Sequence, residues 1–409
     1  MTGQKDKEYI FLTHDIANIG GLQLYIRAKT EWLLERGWDV RIIHSIGGRI
    51  LIEDFNNYEH YYVPELFEPA YFYWKRKRGK IQCGLLDKIS GNYQKIIFES
   101  HSVGHATWGD MLAERLNAKN FIYIIDEKPS INPAELAFMR YKYERREVAG
   151  IVKETVPNAF RTAGFDVSQD GPLMPAYHCN DCVLDVAFTP FVKRKGYTIG
   201  LFGRLEKEYM RYTADDIVAF LDRHKEEHFN VIYVGGERDG NTIKEELERK
   251  YNDIHHADVY FTGFMFPLPR RLVNEFDVCI AGAGASWAIT REGVPTITVD
   301  PNDNLSSGVL SVTTMNSIFS DGTKDKVESW LEKVYQTHDA YIPHYKSVAD
   351  GYEKHFEMID GSEQSKQYDT SFLEAKGAYL TVQRLVCSLF SGEMVKRVLE
   401  IKSKITKHD

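Results

Sequence analysis

Short apolar runs alternate along the chain with longer stretches in which apolar residues recur every three or four positions, the pattern of strands alternating with helices. The first half predicts a strand over Tyr9 to Leu12, a glycine-containing loop, a helix from Leu22 to Arg36 and a strand from Val40 to His44. Leu22, Tyr25, Ile26 and Leu33 share one face of that helix, and Gly37 stands just past its end, where glycine commonly stops a helix. Further strands are predicted over Tyr61 to Val63, Lys95 to Phe98 and Phe121 to Ile125, with a helix around Trp108 to Leu116 between the last two.

The second half restarts the alternation. Strands are predicted at Thr198 to Phe202, Val231 to Val234, Val259 to Phe261, Val278 to Ala281 and Thr296 to Val299, with helices at Ala214 to His224 and Thr242 to Tyr251 and shorter ones later. The fold class is therefore α/β, with two Rossmann-like doubly wound domains whose ligands belong at the carboxyl ends of the strands. Residues 171–196, with Pro172, Pro175, Pro190 and the run Lys193-Arg194-Lys195, read as a linker. The expected division is 1–185, 186–370 and a tail of 371–409, helical from Ser371 to Lys404 with breaks near Gly377 and Gly392.

A chain of 409 residues with 43% hydrophobic and 27% charged residues suits two soluble globular domains. Its net charge of −8 argues against nucleic-acid binding, which needs a basic face. The polar start MTGQKDKEY lacks the apolar core of a signal peptide, and no apolar run reaches membrane-spanning length. Five cysteines fit a reducing compartment, so a cytoplasmic location is expected. Cys179 and Cys182 form a C-x-x-C with no second pair at zinc spacing; free thiols are the simpler reading, and no metal is expected.

Several strand ends carry residues suited to anionic or sugar ligands. Gly20-Gly21 follows the first strand, where a backbone without side chains lets a phosphate approach a helix amino end; a tight turn is the alternative. Gly203-Arg204 follows the first strand of the second half, with Lys207 and Arg211 beyond; these cations could neutralise a diphosphate, or form a solvated cluster with Glu206 and Glu208. Gly235-Gly236-Glu237 and Gly263-Phe264 end the next two strands and place small residues where a nucleotide would lie. Gly282, Gly284 and a helix starting near Ser286 could cradle a diphosphate. His101 and His105 follow the strand ending at Phe98, where a histidine can act as a base or bond a sugar. Tyr71-Phe72-Tyr73-Trp74 runs into Lys75, Arg76, Lys77 and Arg78, which reads either as an anionic-membrane or acceptor docking segment or as core aromatics followed by a solvated helix end.

The opening H-D-x-x-x-x-G-G (His14 to Gly21), Glu35-Arg36-Gly37-Trp38-Asp39-Val40, Gly203-Arg204-Leu205, Val234-Gly235-Gly236, Val259 to Phe264 and Asp277 through Pro295 occur in an order that resembles the GT-B glycosyltransferases, especially the retaining branch that builds bacterial polysaccharides. The resemblance implies two domains across a cleft, acceptor binding in the first, nucleotide-sugar binding in the second, and a last helix crossing back to the first. It implies hexosyl transfer from a nucleotide diphosphate sugar, UDP-sugar favoured, to a saccharide or lipid-linked saccharide in cell-surface polysaccharide or glycoconjugate synthesis, without cofactor or metal and with a peripheral place at the inner membrane face. Arg204 and Lys207 would then stabilise the departing diphosphate and Gly282, Gly284 and Ser286 would bind it, while Gly20 and Gly21 let the substrates close together and His101 holds the transferred sugar. The family's Glu-x7-Glu pair is degenerate: counted back from Pro295 it falls on Ile280 and Ala288, with Glu292 the nearest carboxylate to reach a ribose. That gap keeps open a catalytically silent GT-B subunit beside an active transferase, and a GT-B sugar-nucleotide epimerase.

Overall fold

The computed structural model describes residues 5–89, 93–168, 183–189, 195–237, 240–319, 322–344, 351–361, 368–374, 377–390 and 394. Contacts divide the chain into unit 1, Met1–Ala176 with Gly351–Asp409, and unit 2, Tyr177–Asp350. Most of the expected linker, including Pro172, Cys179, Cys182 and Pro190, lies outside the described residues, as does most of the tail beyond 390.

In unit 1 the elements run β1 (Lys5–Thr13), α1 (Gly21–Glu35), β2 (Asp39–His44), β3 (Glu59–Tyr62), α2 (Lys75–Ile89), β4 (Tyr93–Ser100), α3 (Val103–Leu116), β5 (Lys119–Ile124), α4 (Leu136–Glu144), β6 (Val148–Gly150) and α5 (Thr155–Thr162). The strands form one parallel sheet in the order β3-β2-β1-β4-β5-β6. Tyr9, Ile10, Phe11 and Leu12 of β1 are all fully buried. Consecutive buried residues require both faces of the sheet to be covered, which is why this strand reads as an unbroken apolar run. The chain leaves α1 through Gly37 at φ +73°, a left-handed turn that glycine adopts without strain.

Unit 2 contains β7 (Val183–Leu184), β8 (Tyr197–Phe202), α6 (Glu208–Arg223), β9 (Phe229–Val234), α7 (Thr242–Lys250), β10 (Ala257–Phe261), β11 (Leu268–Pro269), α8 (Arg270–Val273), β12 (Val278–Ala281), α9 (Ala283–Thr290), β13 (Thr296–Ile297) and α10 (Val327–Gln336). Its main parallel sheet has the order β10-β9-β8-β12-β13, and β7 pairs with β11. Ile199, Leu201, Val231, Tyr233, Val278 and Ile280 from the sheet pack with Ile217, Phe220, Leu221 and Leu331 from the helices.

The chain returns to unit 1 with α11 (Tyr352–Gly361), earlier than the tail boundary expected at 371, and α12 (Ala378–Leu389) follows. Tyr352, His355 and Ile359 are buried, and Phe356 packs 5.2 Å from Trp38 and 5.9 Å from Trp32. That helical spacing gives α11 one face to bury. Arg384 of α12 donates from Nε to the Tyr71 carbonyl at 2.9 Å.

The docking reading of residues 71–78 is corrected here for most of its members. Tyr71, Phe72 and Tyr73 belong to the unit 1 core, because apolar rings gain more from burial than from solvent and their neighbours include Trp108 at 5.6 Å from Tyr73. Arg78 is buried and donates to the Leu373 carbonyl at 3.0 Å and to Glu374 at 2.6 Å, and Lys77 donates to the carbonyls of Cys387 and Phe390. These two cations fasten the returning segment instead of facing outward. Trp74, Lys75 and Arg76 remain exposed. Among the described residues no helix is long and apolar enough to cross a membrane.

Candidate functional site

In unit 2 the chain runs outward from β8 through β9 to β10, then resumes on the other side of β8 with β12 and β13. The reversal places a crevice at the carboxyl ends of β8 and β12, the position where open α/β sheets take ligands. Glycines stand at four neighbouring strand ends: Gly203 after β8, Gly235 and Gly236 after β9, Gly263 after β10 and Gly282 after β12. The Gly203 N–H donates to the Val234 carbonyl at 3.1 Å, the Leu205 N–H donates to the Gly236 carbonyl at 3.1 Å, and Gly235 bridges Gly263. Gly235 has φ +150°, and a Cβ there would stand 1.9 Å from the Gly203 carbonyl oxygen. The result is a ledge of buried and half-buried backbone, free of side chains, beside the crevice. Arg204 sits half-buried on it, its guanidinium making no hydrogen bond or ion pair among the described residues. Lys207 caps α6, its ammonium 5.4 Å from the centre of the Tyr209 ring.

In unit 1 the reversal of strand order lies between β1 and β4. The loop after β1 is tied together by buried Asp15, whose carboxylate accepts from the Asn18 backbone and from Gln23 at 2.8 Å. Gly20 precedes α1 and Gly21 opens it. Burial pulls the His14 imidazole down to about 4, against the opposing pull of Asp15, so the ring is neutral at pH 7. It meets His105 edge-on at 4.7 Å. After β4, His101 is buried with Nε2 2.9 Å from Glu99, its ring stacked on Phe11, and its Nδ1 without a hydrogen-bond partner.

Glu99 is the hub of a fully buried network. It accepts from Tyr9, from Tyr25 at 2.7 Å and from Lys29 at 2.5 Å. Burial alone would push this carboxyl up, but Lys29 and His101 hold it well below the usual range. Burial draws Lys29 down to about 8 despite Glu99.

His14 and His101 also line a pocket of about 410 Å³ inside unit 1, together with Phe67, Glu68, Phe72, Asp126, Glu135 and Tyr379 among others. A second pocket, of about 610 Å³ in unit 2, is lined by residues between Ser307 and Lys333 and includes none of the strand-end candidates.

No protein-family model matches the chain, and no curated protein matches it by sequence. Solved structures do match over most of its length. A glycosyltransferase from Rickettsia africae is 12% identical, with 93% of this chain and 98% of that one covered and a TM-score of 0.56. TarM is 8% identical over 93% and 99% of the two chains at TM-score 0.54. A substituted form of S. aureus TarM, crystallised with Fondaparinux, alpha-GlcNAc-glycerol and UDP, is 9% identical over 90% and 100% at TM-score 0.52. This chain has the GT-B fold.

Within this GT-B chain, the strand-end glycines and Arg204 come together as the order of elements implied, whereas several polar candidates have other partners. Helix α9 begins at Ala283, so Ser286 lies inside it, fully buried, with its hydroxyl donating to the Ala283 carbonyl at 2.7 Å. Its oxygen is thereby turned from a ligand to its own helix. Gly282 and Gly284 keep the open end of that helix, where a Cβ on Gly282 would meet nothing closer than 3.8 Å. Glu237 accepts from the backbone of Ile243 at 2.9 Å and Lys244 at 3.3 Å, so it caps the start of α7. Arg211 pairs with Glu246 at 2.7 Å, and Glu292 pairs with Arg270 at 2.8 Å instead of standing free for a ribose. Phe264 packs against Gly236, where a Cβ would stand 2.6 Å from its ring. Ile280 and Ala288 are buried in apolar surroundings that no ionised carboxylate would accept. The sequence reading missed Glu68 and Glu135 in the unit 1 pocket and His355 beside Lys29. Only the helical spacing of buried residues in α11 could have signalled the last.

Proposed function

We propose that this chain transfers a hexosyl group from a nucleotide diphosphate sugar, UDP-sugar favoured, to a saccharide or lipid-linked saccharide acceptor in cell-surface polysaccharide or glycoconjugate synthesis. The observation that carries the reading is Arg204, unpartnered on a glycine ledge at the strand-order reversal of unit 2. A diphosphate can lie on bare backbone there, with Arg204 and Lys207 taking the charge that develops as the bond from the anomeric carbon to the phosphate oxygen breaks. Side-chain cations stand in this reading for a metal. Gly282 and Gly284 offer amide groups at the start of α9, and Gly20 and Gly21 keep the loop after β1 free of side chains. His101 would hold the transferred sugar while the acceptor hydroxyl forms the new bond and gives its proton to the departing diphosphate. UDP bound to the TarM variant supports the choice of nucleotide.

Ile280 and Ala288, at the places of the degenerate acidic pair, favour a second reading: a GT-B subunit that binds beside an active transferase without turnover. Purified protein offered a panel of nucleotide sugars separates them. Slow donor hydrolysis supports the transferase, sugar interconversion an epimerase, and no binding the silent subunit. By calorimetry, Arg204→Ala should weaken nucleoside diphosphate binding by at least ~10-fold and leave the nucleoside nearly unchanged, since charge-assisted bonds contribute about 1.5–3 kcal/mol. Equal losses for both ligands would reject Arg204 as the diphosphate partner.

A further inference from the structure

The pocket of unit 1 has a lining chemistry that the resemblance does not supply. Its walls contain three carboxyl residues, Glu68, Asp126 and Glu135, and neither lysine nor arginine. The Glu68 residue is 8% exposed, and its carboxyl makes no hydrogen bond or ion pair among the described residues. Facing the pocket, that carboxyl keeps acceptor capacity that an entering ligand can use. Glu135 stands close enough for its charge to act on Glu68. Phe67, Phe72 and Tyr379 contribute aromatic surface to the same walls, suited to the apolar C–H faces of a sugar ring. Asn132, Ser130 and Gln383 add amide and hydroxyl groups.

We propose that this pocket receives a saccharide unit through its hydroxyl or amino donors and turns away sugars bearing phosphate or carboxylate. An anionic group would meet the Glu68 and Glu135 carboxyls in a lining that holds neither lysine nor arginine, and like charges in a partly desolvated pocket repel strongly. A hydroxyl or ammonium would instead give Glu68 the donor it lacks. Naming this saccharide as the acceptor rests on the transferase reading above; the binding preference itself does not.

The test uses the full chain without nucleotide sugar, titrated with maltose, glucosamine, glucuronic acid and glucose 6-phosphate and followed by calorimetry or ligand-observed NMR. Maltose or glucosamine should bind at least ~10-fold more tightly than either acid. Glu68→Gln should narrow the gap between acidic and neutral sugars to within a few-fold. Tyr379→Ala, at a residue 51% exposed and so tolerant of change, should weaken maltose binding several-fold with the fold intact. Equal affinity for acidic and neutral sugars, no binding by any of the four, or no response to either substitution overturns the proposal. Saccharide binding without nucleotide binding would leave it standing and remove the transferase reading.

Discussion

Lys29 of α1 lies 2.5 Å from Nδ1 of His355 on the returning helix α11, both fully buried beside Glu99. The ammonium must donate, so the imidazole accepts at Nδ1 and stays neutral. Protonating His355 would place a second cation against Lys29, and burial with that charge holds the ring down to about 4. A depressed histidine contributes stability that is complete above the ordinary value of about 6.5 and is lost as pH falls through 4. The difference corresponds to about 3 kcal/mol. Protection factors across α11, taken relative to the intrinsic exchange rate at each pH, should therefore fall between pH 6.5 and 4.5, and His355→Gln, which has no proton to gain, should flatten the dependence. Equal protection of α11 at both pH values would refute the linkage.

Gly235 should be the least replaceable glycine of the unit 2 ledge. A Cβ 1.9 Å from the Gly203 carbonyl, on a backbone at φ +150°, cannot be accommodated without moving β8 or β9. Gly235→Ala should cost about 3 kcal/mol or more in denaturant unfolding. Gly282→Ala, with open space and φ −120°, should cost less than about 1 kcal/mol while narrowing the space for a diphosphate. Comparable losses at the two sites would contradict this account of the ledge.

The cations after Trp74 should divide by burial. Arg78→Ser takes the donor from Glu374 and leaves the Leu373 carbonyl with Arg384 alone, and should destabilise unit 1 by about 1 kcal/mol. Arg76→Ser, at an exposed position, should fall within ~0.5 kcal/mol of wild type. Salt-sensitive co-sedimentation with anionic vesicles, if this segment docks on them, should vanish in the Lys75→Ser, Arg76→Ser pair. Wild type that ignores such vesicles would end the membrane reading.

Glu68 should set a second pH dependence of opposite sign. Burial, with Glu135 adding, pushes its carboxyl up to about 7. A raised carboxyl contributes stability that is complete below its unfolded value of about 4.3 and is lost as pH rises through 7. Glu68→Gln should therefore raise the unfolding free energy by about 3 kcal/mol at pH 8 and leave it nearly unchanged at pH 4. A constant difference across that range would mean that Glu68 titrates normally.

Much of the scaffold was legible in the chain. The apolar runs of β1 and β8 announced central strands because both sheet faces are covered, and the strand-end positions of His101, Arg204 and the glycines followed from the alternation alone. The polar candidates were less legible. Ser286, Glu237 and Glu292 look available in the sequence, yet each bonds a group that only folding brings near: a carbonyl of its own helix, the start of α7 and Arg270. Hydrogen-bonding capacity is local, but who satisfies it is not.

The sequence by itself determined the alternation of strands and helices, the two-unit architecture and the ends of strands where ligands belong, since periodicity and glycine placement act over a few residues. Only the tertiary structure decided which side of each element faces the core. It sent Tyr71, Phe72 and Tyr73 inward and committed Lys77 and Arg78 to the returning segment. It also set Glu68 and Glu135 into one pocket without a counter-ion, and seated His355 on Lys29. Those pairings join residues far apart in the chain, and their energies depend on burial and on which charges share it, neither of which any local pattern records.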